Sequence, residues 1–204
     1  MPKLLFATTN AHKTEEVRQI LGSGWDIENL SGHPGLPVPE ETGTTFEANA
    51  IIKAVSASEA LPGLLVLADD SGLEVDALQG APGVWSARYA GPGATDAQNR
   101  ERLKTELAPL AAADPARVFT GRFRCCVALA RNGRVLCTHS GAVEGRLRLQ
   151  EQGDGGFGYD ALFSPEGYSD TFGVLPGEVK NQLSHRARAL SALTAWLLEN
   201  PLND

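Results

Sequence analysis

Apolar positions along the chain change period several times, and each change marks an element. Leu4-Leu5-Phe6-Ala7 forms a short apolar run within residues 3–8, leading through Thr9-Asn10 to Val17, Ile20 and Leu21 at helical spacing, with Gly22 as a stop. This predicts strand, turn and helix. A second helix is predicted from Thr44, where Thr44 and Glu47 make a capping-box pattern. Phe46, Ala50, Ala54, Ala57 and Leu61 continue one apolar face until Pro62-Gly63. Leu64 to Ala68 then reads as a buried strand, followed by a loop-rich stretch from Asp69 to Gly93.

Further on, Leu103, Leu107 and Leu110 place a helix over about Asp96 to Ala113. Phe119 to Ala130 and Val135 to Val143 read as strands around Arg131-Asn132-Gly133-Arg134, since Asn-Gly is a strong hairpin signal. A final helix from about Ser184 buries Leu183, Ala187, Leu190, Leu193 and Leu197. Strands alternating with helices, and a late antiparallel hairpin, predict a mixed α/β sheet flanked by helices. A cleft between two lobes is then the natural ligand site.

Composition narrows the class. With 204 residues, 42% of them hydrophobic, the chain can bury a substantial core, and no repeat or linker divides it, so we expect one catalytic domain over 1–204. A net charge of −7 supplies no broad basic face for nucleic acid. The first apolar run is too short for a signal peptide or a spanning helix, and no later one is long enough, so we expect no membrane association. Three cysteines, two of them adjacent, with no Cys-x-x-Cys or Cys/His pattern, fit reduced thiols in the cytoplasm and no zinc site.

Several clusters carry candidate chemistry. Thr8-Thr9-Asn10-Ala11-His12-Lys13 lies at a strand-to-helix turn, where backbone N–H groups and the helix dipole favour an anion. Lys13 opposes that dipole, which a bound phosphate would offset. Glu40 and Glu41 occupy a Pro-flanked loop, and Asp69-Asp70-Ser71-Gly72 directly follows a strand. On spacing alone this motif fits a solvated acidic turn as well as a pair of ligands for a hard cation. Asp69 and Asp70, as neighbours, face opposite ways and so have different roles. Asn49 and Lys53 lie one helical turn apart and can share a face. Phe157-Gly158-Tyr159-Asp160 sits in a glycine-rich segment where Phe157 could stack on a flat base or simply anchor a hairpin. Lys180 and Ser184-His185-Arg186 follow. Arg186 only donates hydrogen bonds, so it suits a purine carrying O6 and not the amino group of adenine.

Taken in order, these motifs resemble the inosine triphosphate pyrophosphatase family, the Ham1-like dITP/XTP pyrophosphatases. The resemblance runs from Lys3 to about Trp196 and includes Glu40-Glu41-Thr42-Gly43, Gly80-Ala81-Pro82-Gly83 and Ser86-Ala87-Arg88-Tyr89. Thr9 stands where many such proteins have Gly. The resemblance implies an elongated mixed sheet flanked by helices, with an active-site cleft between two lobes. It also implies a homodimer that hydrolyses non-standard purine nucleoside triphosphates to monophosphate and pyrophosphate with Mg2+. It assigns Glu40 and Asp70 to the metal and makes Asp70 the catalytic base. Thr8, Thr9, Asn10, Ala11, His12, Lys13, Lys53 and Ser71 would hold the phosphates and sugar, while Phe157, Gly158, Tyr159, Asp160, Lys180, His185 and Arg186 would contact the base. The alternatives are a Maf-type pyrophosphatase acting on other modified nucleotides, and a nucleotide-sensing module that binds without turnover.

Overall fold

A computed structural model describes residues 1–202. In chain order its elements are β1 (Lys3–Phe6), α1 (Ala11–Leu21), β2 (Asp26–Asn29), α2 (Phe46–Ala60), β3 (Leu65–Val75) and α3 (Asp96–Ala113). Then come β4 (Phe119–Arg131), β5 (Arg134–Leu147), β6 (Phe163–Pro165), α4 (Gly177–Leu183) and α5 (His185–Glu199). The strands are hydrogen-bonded in the order β2-β1-β3-β4-β5-β6. β1 is parallel to β2 and to β3, and β5 is antiparallel to β6. The sheet is therefore mixed, as expected.

The chain forms two compact units. The first comprises residues 1–70, 125–141 and the segment from His185 onward; the second comprises 71–124 and 142–184. In the first unit the strands are apolar on both faces, and two separate helix layers cover them. Leu4 and Phe6, Leu65 and Leu67, and Cys125, Val127 and Leu129 pack with Val17 of α1 and with Ala189, Leu190 and Leu193 of α5. The alternate residues Leu5, Val66, Ala68, Ala128 and Ala130 pack instead with Ala50, Ala54 and Ala57 of α2. Period-2 alternation deals successive side chains to opposite layers, so strands covered on both faces read as continuous apolar runs.

In the second unit the pattern is one-sided. Leu73, Val75, Phe119, Phe123, Val143, Leu147 and Phe163 form a core with Leu103 and Leu107 of α3. The intervening positions carry charge: Arg122 pairs with Asp76 at 2.9 Å and Glu144 at 2.9 Å, and Arg124 with Glu74 at 3.2 Å. Such alternation marks a sheet face left toward water.

Several boundaries differ from expectation. The cap of α2 is Thr45, not Thr44: its backbone is extended and its hydroxyl accepts from Ala48 N, while Glu47 points away and accepts a hydrogen bond from Thr138 at 2.7 Å. β3 continues seven residues beyond Ala68, carrying Asp69-Asp70-Ser71-Gly72 inside the strand and not in a loop or turn. Asp69 and Asp70 can stay in a strand because each finds a cation in the first unit. Ser184 closes α4, and α5 begins at His185; Leu183 accordingly packs in the second unit's core and not beneath α5. β2, β6 and α4 are too short to leave a periodic signal. The hairpin falls where Asn-Gly placed it, with Asn132 and Gly133 at φ of 52° and 72°, the two positive values a tight turn of this hand requires. Among the described residues no helix is long and apolar enough to cross a membrane.

Leu67 is fully buried in the α1/α5 layer. Leu67→Ala is expected to cost about 2–5 kcal/mol by leaving a cavity between strand and helices, measured by urea unfolding. A loss below about 1 kcal/mol would mean that this layer collapses readily around the deletion.

Candidate active site

The alternation that organises the first unit also separates its two acids. Asp69 continues the Leu65, Leu67 row toward α1 and α5, and Asp70 continues the Val66, Ala68 row toward α2. Asp69 is 2% exposed. Its Oδ2 accepts from Arg186 Nη2 at 2.8 Å and Nε at 3.3 Å, and its Oδ1 from Lys13 Nζ at 3.1 Å. Arg186, at 1% exposure, also pairs with Glu16 of α1. Burial alone would raise the Asp69 carboxyl, but Lys13, Arg186 and Lys53 outweigh it and hold the group well below the usual carboxylate range.

Asp70 is held differently. Its Oδ2 accepts from Asn49 Nδ2 at 3.1 Å and its Oδ1 from Lys53 Nζ at 3.2 Å. Here burial wins over the attraction of Lys53 and Lys13, and the Asp70 carboxyl is pushed up. Lys53 also meets Glu41 Oε1 at 3.0 Å. Its ammonium is raised, because Asp70, Asp69 and Glu41 together outweigh the lowering effect of burial.

The loop that delivers Glu41 is fastened to α2. Asn49 Oδ1 accepts from Gly43 N at 2.8 Å while its amide donates to Asp70, so one buried side chain ties the loop to the strand. A Cβ on Gly43 would sit 2.6 Å from Asn49 Oδ1 and 2.7 Å from Ala48 Cβ, so any larger residue would force the loop away from α2. Glu40, the neighbouring acid, is exposed.

The remaining candidates fall into two places. In the first unit, Asn10 caps α1 by accepting from Lys13 N, and its own N–H donates to Thr8 Oγ1 at 3.1 Å. Thr9, Asn10, Ala11 and His12 are exposed around that helix start, and His185 is buried. In the second unit, Ser71 is half-buried on β3. Asp160 Oδ2 accepts from Lys180 Nζ at 2.6 Å and from Phe157 N at 2.9 Å. The Lys180 ammonium lies 4.5 Å from the centre of the Phe157 ring. Gly158 is half-buried, and Tyr159 is core: its hydroxyl donates to Ser86 O at 2.9 Å.

The structure thus joins Lys13, Lys53, Asp69, Asp70 and Arg186 in one charged group, and Phe157, Asp160 and Lys180 in another. Sequence reasoning placed Arg186 as a donor to the base; in the structure its guanidinium pairs with Asp69 and Glu16. It also overlooked Glu16, whose only trace is an acid three residues after Lys13 on one helix face. Among the described residues no three His, Cys, Asp or Glu side chains form a ready-made metal cluster. The donors present still suit a hard cation. Asp70 and Glu41 converge on a single ammonium, and a magnesium ion needs only one or two carboxylates when phosphate oxygens and water complete its shell.

The α/β fold, with paired acids and two lysines gathered in its first unit, is in keeping with a hydrolase of nucleotide anhydride bonds. The family model described as the Ham1 family matches residues 4–196, and the chain belongs to that family. It is 46% identical over 190 residues to a protein of Desulforamulus reducens named dITP/XTP pyrophosphatase, covering 92% of each chain. A protein of the same name from Halalkalibacterium halodurans is 42% identical over 97% of this chain and 100% of its own. The solved structure of a HAM1 protein from Coxiella burnetii superposes with a TM-score of 0.83 at 37% identity, covering 98% of this chain and 100% of the other.

Asp69→Asn would leave the buried Arg186 short of its carboxylate and is expected to destabilise the protein by about 3–5 kcal/mol. Asp70→Asn removes a charge that burial disfavours and is expected to stay within about 1 kcal/mol of the parent. The two acids also carry opposite signs with pH. The lowered Asp69 group contributes stability above its unfolded value near 3.8 and loses it as pH falls. The raised Asp70 group opposes folding as it ionises on going upward in pH. Urea unfolding of the parent and both variants between about pH 2 and 8 checks the order; equal losses, or an Asp69 contribution that does not fall below about pH 4, would contradict it.

Proposed function

We propose that this chain hydrolyses non-standard purine nucleoside triphosphates, dITP, ITP and XTP among them, to the monophosphate and pyrophosphate. The observation that carries the reading is the division of labour between adjacent acids: Asp69 is locked between Arg186 and Lys13, while Asp70 faces Asn49 and Lys53 beside Glu41. A carboxylate so placed is a suitable base for orienting water. The names of the relatives from Desulforamulus reducens and Halalkalibacterium halodurans support the substrate class. Membership of the Ham1 family leaves the Maf-type alternative without support.

In this reading Asp70 accepts a proton from the water that attacks the α-phosphorus, and the bond to the pyrophosphate oxygen breaks. Lys13 and Lys53 turn from carboxylates to the phosphate oxygens and offset their charge. Thr8 to His12 and Ser71 hold phosphate and sugar through backbone and hydroxyl groups. Asp70, with Glu40 and its loop neighbour Glu41, would hold Mg2+, which would offset charge on the triphosphate oxygens. Phe157 offers a flat face to the base, and Lys180 and His185 offer donors for a purine O6, which adenine replaces with a donor of its own. Arg186 acts through Asp69, holding it and thereby the strand that carries Asp70. We further propose that the protein works as a homodimer, in the cytoplasm, on free nucleotides and not on nucleic acid; the net charge of −7 supports the choice of free nucleotides and the three free thiols the compartment.

Pyrophosphate release should favour ITP, dITP and XTP over dATP by about tenfold to a hundredfold, the expected effect of one mismatched buried polar group. It should stop on chelation with EDTA. Preference for pyrimidines, or tight binding without turnover, would overturn the reading. Asp70→Asn is expected to lower kcat at least about a hundredfold while the protein stays folded. Comparing Glu40→Gln with Glu41→Gln identifies the metal carboxylate, since the ligand variant alone should require more Mg2+ for half-maximal rate.

A further inference from the structure

One face of α3 has so far had no part in the chemistry, yet it holds the aromatic loop of the second unit. Asp96, Arg100 and Lys104 recur every four residues and so lie along one stripe of the helix. Asp96 Oδ2 accepts from Gly158 N at 2.7 Å, and Arg100 Nη1 donates to Gly158 O at 2.8 Å. At the other end of the loop, Arg100 Nε lies 3.0 Å from Glu151 Oε2 and Lys104 Nζ 3.1 Å from Glu151 Oε1. The helix itself is rigidly started, by a Thr95 capping box with Gln98.

The consequence falls on Phe157. Its own N–H donates to Asp160 at 2.9 Å, and the next N–H, that of Gly158, donates to Asp96. The peptides on both sides of its Cα are therefore anchored, and with them the direction of its Cα–Cβ bond. The same Asp160 oxygen receives Lys180, whose ammonium lies over that ring. The start of this glycine-rich segment is held by Gly155 N–H donating to Gly173 O at 2.9 Å; its far end, at Gly156 to Gly158, depends on Asp160 and α3, since glycine imposes few backbone restraints.

We propose that Asp96 and Arg100 are positioning residues that set base recognition by fixing the backbone of Phe157 and Gly158. The inference rests on the proposed role of Phe157 as the base-contacting ring. A loosened loop would bind the base less well without altering the attack on phosphorus, so the effect belongs in KM and base preference and not in kcat.

The test uses the full chain and the variants Asp96→Ala, Asp96→Asn, Arg100→Met and Arg100→Lys. Asp96→Ala and Arg100→Met are expected to raise KM for ITP about fivefold to tenfold, the loss of one charge-assisted hydrogen bond, with kcat within about twofold. The preference for ITP over ATP should narrow by a similar factor. Asp96→Asn keeps an acceptor and should restore KM to within about twofold of the parent, and Arg100→Lys should recover part of the loss. Hydrogen exchange read by mass spectrometry on the unliganded protein gives an independent readout. Amides of residues 153–159 should exchange about tenfold faster in Asp96→Ala, with the rest of α3 unchanged. Unchanged loop exchange overturns the proposal whatever the substrate. So does a folded Asp96→Ala with parental KM and preference, an effect confined to kcat, or an Asp96→Asn as impaired as Asp96→Ala. If Arg100→Met does not fold, Asp96→Ala decides alone. A parent protein idle on ITP whose loop still loosens in Asp96→Ala overturns the substrate reading and upholds the clamp.

Discussion

The first unit depends on a buried ion pair. Arg186 and Asp69 are 1% and 2% exposed, and neither could be left there without the other, since an unpaired charge in the interior costs several kcal/mol. Satisfying Asp69 fixes three elements at once: β3, which carries it, α5, which supplies Arg186, and α1, which supplies Lys13 and Glu16. An interaction of this kind adds little net stability compared with an apolar contact of the same size. What it does is specify a register. A shift of β3 by one residue would place both acids on the wrong layers.

From that register the rest of the charged group follows. Because side chains alternate along a strand, fixing Asp69 toward Arg186 turns Asp70 toward α2, where Asn49 and Lys53 wait one helical turn apart. The two carboxyls are chemically identical and adjacent, yet their surroundings push their protonation in opposite directions. Environment divides them into one locked in a buried ion pair and one turned to Asn49 and Lys53. The second unit repeats the logic more simply: Asp160 gathers Lys180 and the Phe157 backbone, and α3 holds the following residue.

The periodic segments were readable from the chain alone. α3 falls on Asp96–Ala113 as expected, because a capped helix with leucines on one side leaves a long signal. The Asn132-Gly133 hairpin is equally local, since two positive φ values restrict the residues that can stand there. The acidic motif was located but its setting was misread. Two aspartates after an apolar strand look like the start of a loop, because a carboxylate inside a buried strand is unfavourable unless cations from elsewhere meet it. Those cations come from residues 13, 53 and 186, and no local pattern announces their arrival.

The sequence by itself therefore determined the α/β class, most of the elements, the ordered motifs of the Ham1 family and the identity of the charged residues. Tertiary structure alone decided which charges meet: that Arg186 turns to Asp69 and Glu16, that Glu41 and not Glu40 reaches Lys53, and that α3 grips the peptides around Gly158. The physical reason is range. Secondary structure and turns are set by neighbours a few residues apart, whereas the partner of a buried charge is whichever opposite charge the folded chain carries to it, and that depends on every element in between.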